Sequence, residues 1–133
     1  DFGSYTLKTE FTYYPFERID KTVKRLGVSV DSLLDIAANK LFTIYQKPRA
    51  RDFMDLYMIL QEEKLDFNDL MYKSWAKFDS HIDLVKLGTQ LLLVDELADL
   101  PKLLENNFDF EGMKKYYKSM AHGLRGRVLD SSN

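Results

Sequence analysis

Two neighbouring segments carry ionisable side chains on or beside the faces that their own apolar periodicity marks for burial. That conflict limits what the chain can fold into more than any other feature. A helix turns about 100° per residue. In residues 31–46, with Leu33 as the origin, Ile36, Ala37, Leu41 and Ile44 share one broad arc and Lys40 falls inside it, while Asp35, Asn39 and Gln46 fall on the opposite, wet side. In residues 49–63, which follow Pro48, Leu56, Ile59 and Leu60 form most of the apolar face. Asp52 projects between Ile59 and Leu56, and Asp55 lies beside Ile59. Pro48 suits a first helical position, and Arg51 stands i, i+4 from Asp55. Desolvating a charge is costly unless a partner or ligand compensates it. The charges therefore either tie the two helices together as an ion-pair knot or line a site. Acidic residues in a first turn also offset the helix dipole.

Elsewhere the pattern is mostly helical. Asp66 caps a helix at about 67–79 with Leu70, Met71, Trp75 and Phe78 along one face. A further helix starts near Asp83, carries Leu84, Leu87, Leu91 and Val94, continues toward Leu97 and ends before Pro101. Another follows Asp109, with Met113, Tyr116, Tyr117, Met120 and Leu124 at helical spacing. Arg125-Gly126-Arg127 and Ser131-Ser132-Asn133 read as a fraying tail. Residues 5–14 alternate instead: Tyr5, Leu7, Thr9, Phe11 and Tyr13 against Thr6, Lys8, Glu10 and Thr12, which is strand periodicity ended by Pro15. A second short extended piece is expected at residues 27–30. The expected fold is mainly α (α+β): a bundle of about five helices with one or two N-terminal strands. A lone strand among helices lacks sheet partners, which invites self-association through its edge.

The 133 residues suit one domain, and 45% hydrophobic with 30% charged residues places the chain among folded globular proteins. A net charge of −2 argues against a globally basic nucleic-acid binder, though not against a local basic patch. No apolar run is long enough to span a membrane. With no cysteine, disulfides and cysteine-ligated zinc are excluded, which fits a cytoplasmic protein. His81 and His122, the two histidines, are too far apart in sequence for a metal or triad motif and read as surface or structural residues. Asp109-Phe110-Glu111 has Asp-x-Glu spacing but reads as a helix start. Asp1-Phe2-Gly3 resembles a kinase metal-binding tripeptide with none of its companions. Tyr72, Trp75, Phe78, Tyr116 and Tyr117 can stack a base, but helical spacing makes them core. Lys114, Lys115 and Lys118 form a basic cluster, either a solvated face or an RNA-backbone contact.

The run Val-Asp-Ser-Leu-Leu-Asp-Ile-Ala-Ala-Asn-Lys-Leu from Val30 to Leu41, a short basic linker, and Arg-Asp-Phe-Met-Asp-Leu-Tyr from Arg51 to Tyr57 resemble the C-terminal half of the AbiEii/AbiGii nucleotidyltransferase toxins. These are bacterial abortive-infection and toxin–antitoxin proteins. Their helix carries an Asn/Glu-Lys-Leu element and the next one Arg/Lys-Asp-Phe/Leu-x-Asp-Leu. The match is dense over residues 28–61 and looser beyond.

The resemblance implies transfer of a nucleotidyl group from an NTP to an acceptor such as RNA, and an antitoxin partner. It implies that Lys40 meets the nucleotide's phosphates and that Asp52 or Asp55 is the functional aspartate. Lys47, Arg49 and Arg51 are candidates for a linker cation. The family's Gly-Gly/Ser turn and metal-binding Asp-x-Asp/Glu pair have no counterpart upstream of Lys40, so no metal ligand is expected here, and Mg is expected for a full-length parent only. On this reading residues 1–30 are the last strands of a nucleotidyltransferase sheet plus a connector, residues 31–133 are a helical C-terminal domain, and the chain is a C-terminal portion that is inactive alone. The alternative is a non-catalytic helical interaction domain that docks an antitoxin or partner subunit and keeps the Lys40–Asp52 knot for packing.

Overall fold

The structure, a computed structural model, describes residue 3, residues 6–98 and residues 107–132. Two short strands, β1 (Val23–Arg25) and β2 (Val28–Val30), precede helices α1 (Leu33–Gln46), α2 (Ala50–Glu62), α3 (Phe67–Phe78), α4 (Leu84–Leu92) and α5 (Phe110–Ser131); a 3-10 turn, Leu93–Glu96, extends α4. The fold is mainly α with one small sheet, as the periodicity predicts.

Local chemistry sets the helix ends. Ser32, Asp66, Asp83 and Asp109 each accept a hydrogen bond from the backbone N–H three residues on, satisfying a donor that the first turn leaves open. Pro48 bars the helical region for Lys47, so α1 stops there. Pro48 itself lies before the N-cap, Arg49, and not at the first helical position expected for it. Asp79 closes α3 in the left-handed conformation, its N–H reaching back to Trp75 and Ala76.

α1 is the hub. It packs on α2, α3 and α4, and α5 lies along α4 and touches α2. Leu41, Ile44, Phe53, Leu56, Met71, Leu87, Leu91, Met113 and Tyr117 fill one continuous core. Buried polar atoms bond across the helix contacts. Ser74 Oγ donates to Ala38 O at 2.9 Å, and Tyr117 OH donates to Phe53 O at 2.7 Å. Each such bond contributes about 1 kcal/mol net and costs more if its partner is removed.

Three further expectations need correction, besides that for Tyr72, which is exposed and not in the core. Residues 6–14 are not a strand, and Tyr5 lies outside the described residues. Alternation says what a strand would bury, but a strand exists only when another segment pairs with it, and among the described residues none pairs with 6–14. The sheet is instead an antiparallel hairpin with Arg25 opposite Val28. Its turn residues Leu26 and Gly27 both have positive φ, +49° and +78°, as a two-residue turn between right-twisted strands requires. Second, the expected tail is helix as far as Ser131, with Leu124 still in the core. Third, Asp35 is fully buried and not on a wet face. The expected stop before Pro101, and Asp1-Phe2, fall outside the described residues.

Asp35 is buried because the chain before α1 folds back over it. Its carboxylate accepts from the backbone N–H of Ile19 at 2.8 Å and Asp20 at 3.0 Å, from Ser32 Oγ at 2.8 Å, and from Lys77 Nζ at 2.8 Å. Tyr14 OH donates to Asn39 Oδ1 at 2.7 Å, and Phe16 stands edge-on to Phe78 at 4.8 Å. Residues 14–20 are thus strapped across α1 and α3.

Candidate functional site

The turn between α1 and α2 folds the second helix back on the first, so Lys40 in the second half of α1 faces the first turn of α2. There Asp52 and Asp55 stand three residues apart on one face. Lys40 Nζ lies 3.1 Å from Asp52 Oδ1 and 2.8 Å from Asp55 Oδ2. Asp52 also accepts from Arg49, with Nε to Oδ2 at 2.8 Å and Nη2 to Oδ1 at 3.2 Å. Because Arg49 is the N-cap and Asp52 is the third residue of α2, this fork closes over the helix start, and the Asp52 charge sits where the dipole favours an anion.

Burial separates the members. The Asp52 side chain is 0% exposed, Lys40 22%, Asp55 39% and Arg49 60%. Burial pushes the Lys40 ammonium down, but its bonds to Asp55 and Asp52 outweigh that and hold it above the ordinary lysine value. Lys40 therefore stays a cation that touches water along one edge.

Among the sequence candidates, the structure brings together Lys40, Asp52, Asp55 and Arg49. It does not bring in Lys47 or Arg51. Both are exposed, and neither forms an ion pair among the described residues. Arg51 does not take Asp55 at i, i+4; Lys40 takes it from the neighbouring helix. Spacing alone left the linker cation open among three residues. Of the three, Arg49 is the one that reaches Asp52, because it precedes it by one turn.

A second buried charge pair escaped the sequence reading. Lys77 and Asp35 are 1% and 0% exposed and 2.8 Å apart. The signal was present in Ser32-Leu33-Leu34-Asp35, the spacing of a capping box, which ties an acid to a helix start rather than leaving it in solvent.

The acids do not fit a divalent metal. Asp52 is enclosed by two cations, Asp55 is held by one, and no group of three or more His, Cys, Asp or Glu able to hold a metal occurs among the described residues. What the arrangement offers is a lysine ammonium held by one sealed and one half-exposed carboxylate, with an edge open to solvent.

The Asn-Lys-Leu element of α1 and the Arg-Asp-Phe-x-Asp-Leu element of α2 are thus neighbours in space. The family model described as nucleotidyl transferase AbiEii toxin, type IV TA system, matches residues 5–130, and the chain belongs to that family. Its class is thus the nucleotidyltransferase toxin of a toxin–antitoxin system, a family that uses an NTP and a divalent metal and is paired with an antitoxin. No curated protein and no solved structure matches the chain. No helix among the described residues is long and apolar enough to cross a membrane.

Proposed function

We propose that Lys40 is the phosphate-binding cation of a nucleotidyl-transfer site, with Asp52 as its anchor and Asp55 as the partner it exchanges for substrate. One observation carries this reading: the ammonium is gripped from below by a sealed carboxylate and from the side by an open one. Asp52 accepts three charge-assisted bonds and is closed to solvent, so it positions rather than moves a proton. Asp55, with one ion pair and an open side, is the carboxylate able to orient or deprotonate an acceptor hydroxyl once Lys40 turns to phosphate. Arg49 fixes Asp52. Lys47 and Arg51, exposed and outside the Lys40 contact, are assigned only a general electrostatic pull on a triphosphate.

The acceptor in this reading is an RNA, and the setting is the cytoplasm. Residues 31–133 work as the helical unit and residues 1–30 as its connector to a nucleotidyltransferase sheet. Transfer also calls for a carboxylate pair that holds the divalent metal. In this reading that pair lies outside the described acids, and we propose that the chain by itself binds nucleotide without transferring it.

The test is nucleotide binding by this chain, followed with a fluorescent ATP analogue and with inorganic triphosphate as competitor. Lys40→Ala should lose at least tenfold in affinity with an unchanged circular-dichroism spectrum. Labelled NTP with magnesium and total RNA should give no labelled product. Unchanged affinity in Lys40→Ala would remove the lysine from its role.

A second reading has its own support. Lys40 and Arg49 balance Asp52 and Asp55 charge for charge, as a knot kept purely for packing would. In that case the unit is a non-catalytic docking domain for an antitoxin or partner subunit, and Lys40→Ala unfolds it without any nucleotide phenotype.

A further inference from the structure

The charge of this chain is unevenly spread. Residues 110–131, which form α5, carry five Lys or Arg against two Asp or Glu, whereas the rest of the chain carries fourteen against nineteen. An acidic chain that concentrates its largest positive excess on one helix has a locally electropositive surface despite its net charge of −2.

Placement on the helix concentrates that charge. At about 100° per residue, Lys114, Lys118 and Arg125 fall within about 40° of one another, with His122 and Lys115 on the same flank. The row lies away from the face that buries Met113, Tyr117 and Leu124. Lys115, His122 and Arg125 are exposed, and Lys114 and Lys118 are half-buried. Lys114, Lys115, Lys118 and His122 line a shallow concavity, and His122 and Arg125 continue into the next one along the helix. Two acids bear on the row. Glu111 sits in the first turn, where it offsets the helix dipole, and Asp95 pairs with Lys118 at 2.6 Å. Lys114, Lys115 and Arg125 have no ion pair among the described residues.

We infer that the Lys114–Lys115–Arg125 face of α5 binds the phosphate backbone of the acceptor RNA. The inference rests on the nucleotidyl-transfer reading for its ligand class, but it concerns a different surface from the Lys40 site. From Lys114 to Arg125 the helix rises about 16 Å, long enough to follow several successive phosphates of one strand. The face holds cations without an aromatic anchor, so it fixes a strand without reading its bases. Past His122 and Arg125 the neighbouring concavity is apolar, lined by Leu84, Val85, Leu92 and Leu129, so a protein partner would take its anchor there rather than on the Lys114–Lys118 row.

The experiment is fluorescence anisotropy of a short labelled single-stranded RNA against the full chain over a salt series. Binding should weaken as salt rises. Combined Lys114→Glu, Lys115→Glu and Arg125→Glu should weaken it at least tenfold and flatten the log–log salt slope by about two, at ~0.7 per lost phosphate contact. A charge-matched control, Lys24→Glu, Arg25→Glu and Lys64→Glu, should keep most of the affinity, and the α5 variant should bind the ATP analogue as wild type does. Retained nucleotide binding with RNA affinity equal in both triple variants overturns the α5 surface and leaves the Lys40 site standing. Competition by poly-glutamate as strong as by unlabelled RNA also overturns it, in favour of an acidic protein partner.

Discussion

Two of the lysine–aspartate contacts between helices of this protein hold a fully buried aspartate, and they are built differently. Lys77–Asp35 is sealed on both sides, and Asp35 also ties down two backbone N–H groups and a serine hydroxyl. Lys40–Asp52 is sealed only on the aspartate side: the lysine has an open edge and a second, half-exposed carboxylate to trade. A closed pair with every acceptor satisfied is a stitch, because nothing can enter without unfolding its neighbours. A pair left open on the cation, with the anchor buried, lets a ligand exchange while the geometry persists. The same residue types thus serve fold in one place and, in the proposed reading, chemistry in the other.

The comparison breaks most visibly at the stitch. Lys77→Met leaves Asp35 buried without its counter-charge, a change that costs about 3–5 kcal/mol and so a large share of a small domain's stability. Denaturant titration should show that loss, and protease sensitivity should rise in residues 14–20 as the strap lifts. A cost near that of an exposed pair would mean the strap is not locked by this contact.

Acid should act on the same contact. Burial raises the Asp35 carboxyl, but the bonds from Lys77, Ile19, Asp20 and Ser32 prevail and hold it down at about 2 against an ordinary 3.8. A carboxyl with a depressed folded-state value contributes stability above its unfolded value, and that contribution is lost as pH falls. The expected loss is about 2 kcal/mol, spread from about pH 4 down to about pH 2. Urea midpoints of wild type and Lys77→Met across that window should converge, because the variant has already lost the lysine. Parallel curves would assign the acid loss to other carboxylates.

The open site should respond less in stability and more in binding. Lys40→Ala removes one cation from Asp52, yet Asp52 keeps both Arg49 bonds and Asp55 turns to water. The expected cost is about 1–2 kcal/mol, well below that of Lys77→Met, alongside the lost nucleotide affinity. Equal costs at the two lysines would make the first contact a stitch as well and favour the docking-domain reading.

What the sequence disclosed, and what it withheld, follows the same division. Helices α1 to α5 were legible because each presents an apolar face at helical spacing, and Asp66, Asp83 and Asp109 mark three of their starts. The Lys40–Asp52 contact was legible because both charges sit on apolar arcs of adjacent helices. Asp35 looked solvent-facing on the wheel of α1 because its cover comes from outside that helix: from residues 14–20, which have no period to read, and from Lys77, forty-two positions away. Residues 6–14 failed the opposite way, with a strand's alternation and no strand beside them among the described residues. Gly27, expected at the start of an extended piece, lies in the hairpin turn, and β1 needed pairing information that no single segment holds.

The smallest expected effect discriminates most finely. Asp55→Asn removes a half-exposed ion pair, worth about 0–1 kcal/mol, so the melting temperature should hardly move. In a packing knot nothing else follows. In an exchangeable site Asp55 competes with phosphate for Lys40, and removing its charge frees the ammonium. Affinity for inorganic triphosphate should then rise, by up to about fivefold if the full ~1 kcal/mol is recovered, while Lys40→Ala in the same background abolishes the gain. Unchanged or weaker triphosphate binding in Asp55→Asn would show that Asp55 helps to hold Lys40 in place rather than yielding it, and would leave Asp52 and Arg49 as framework only.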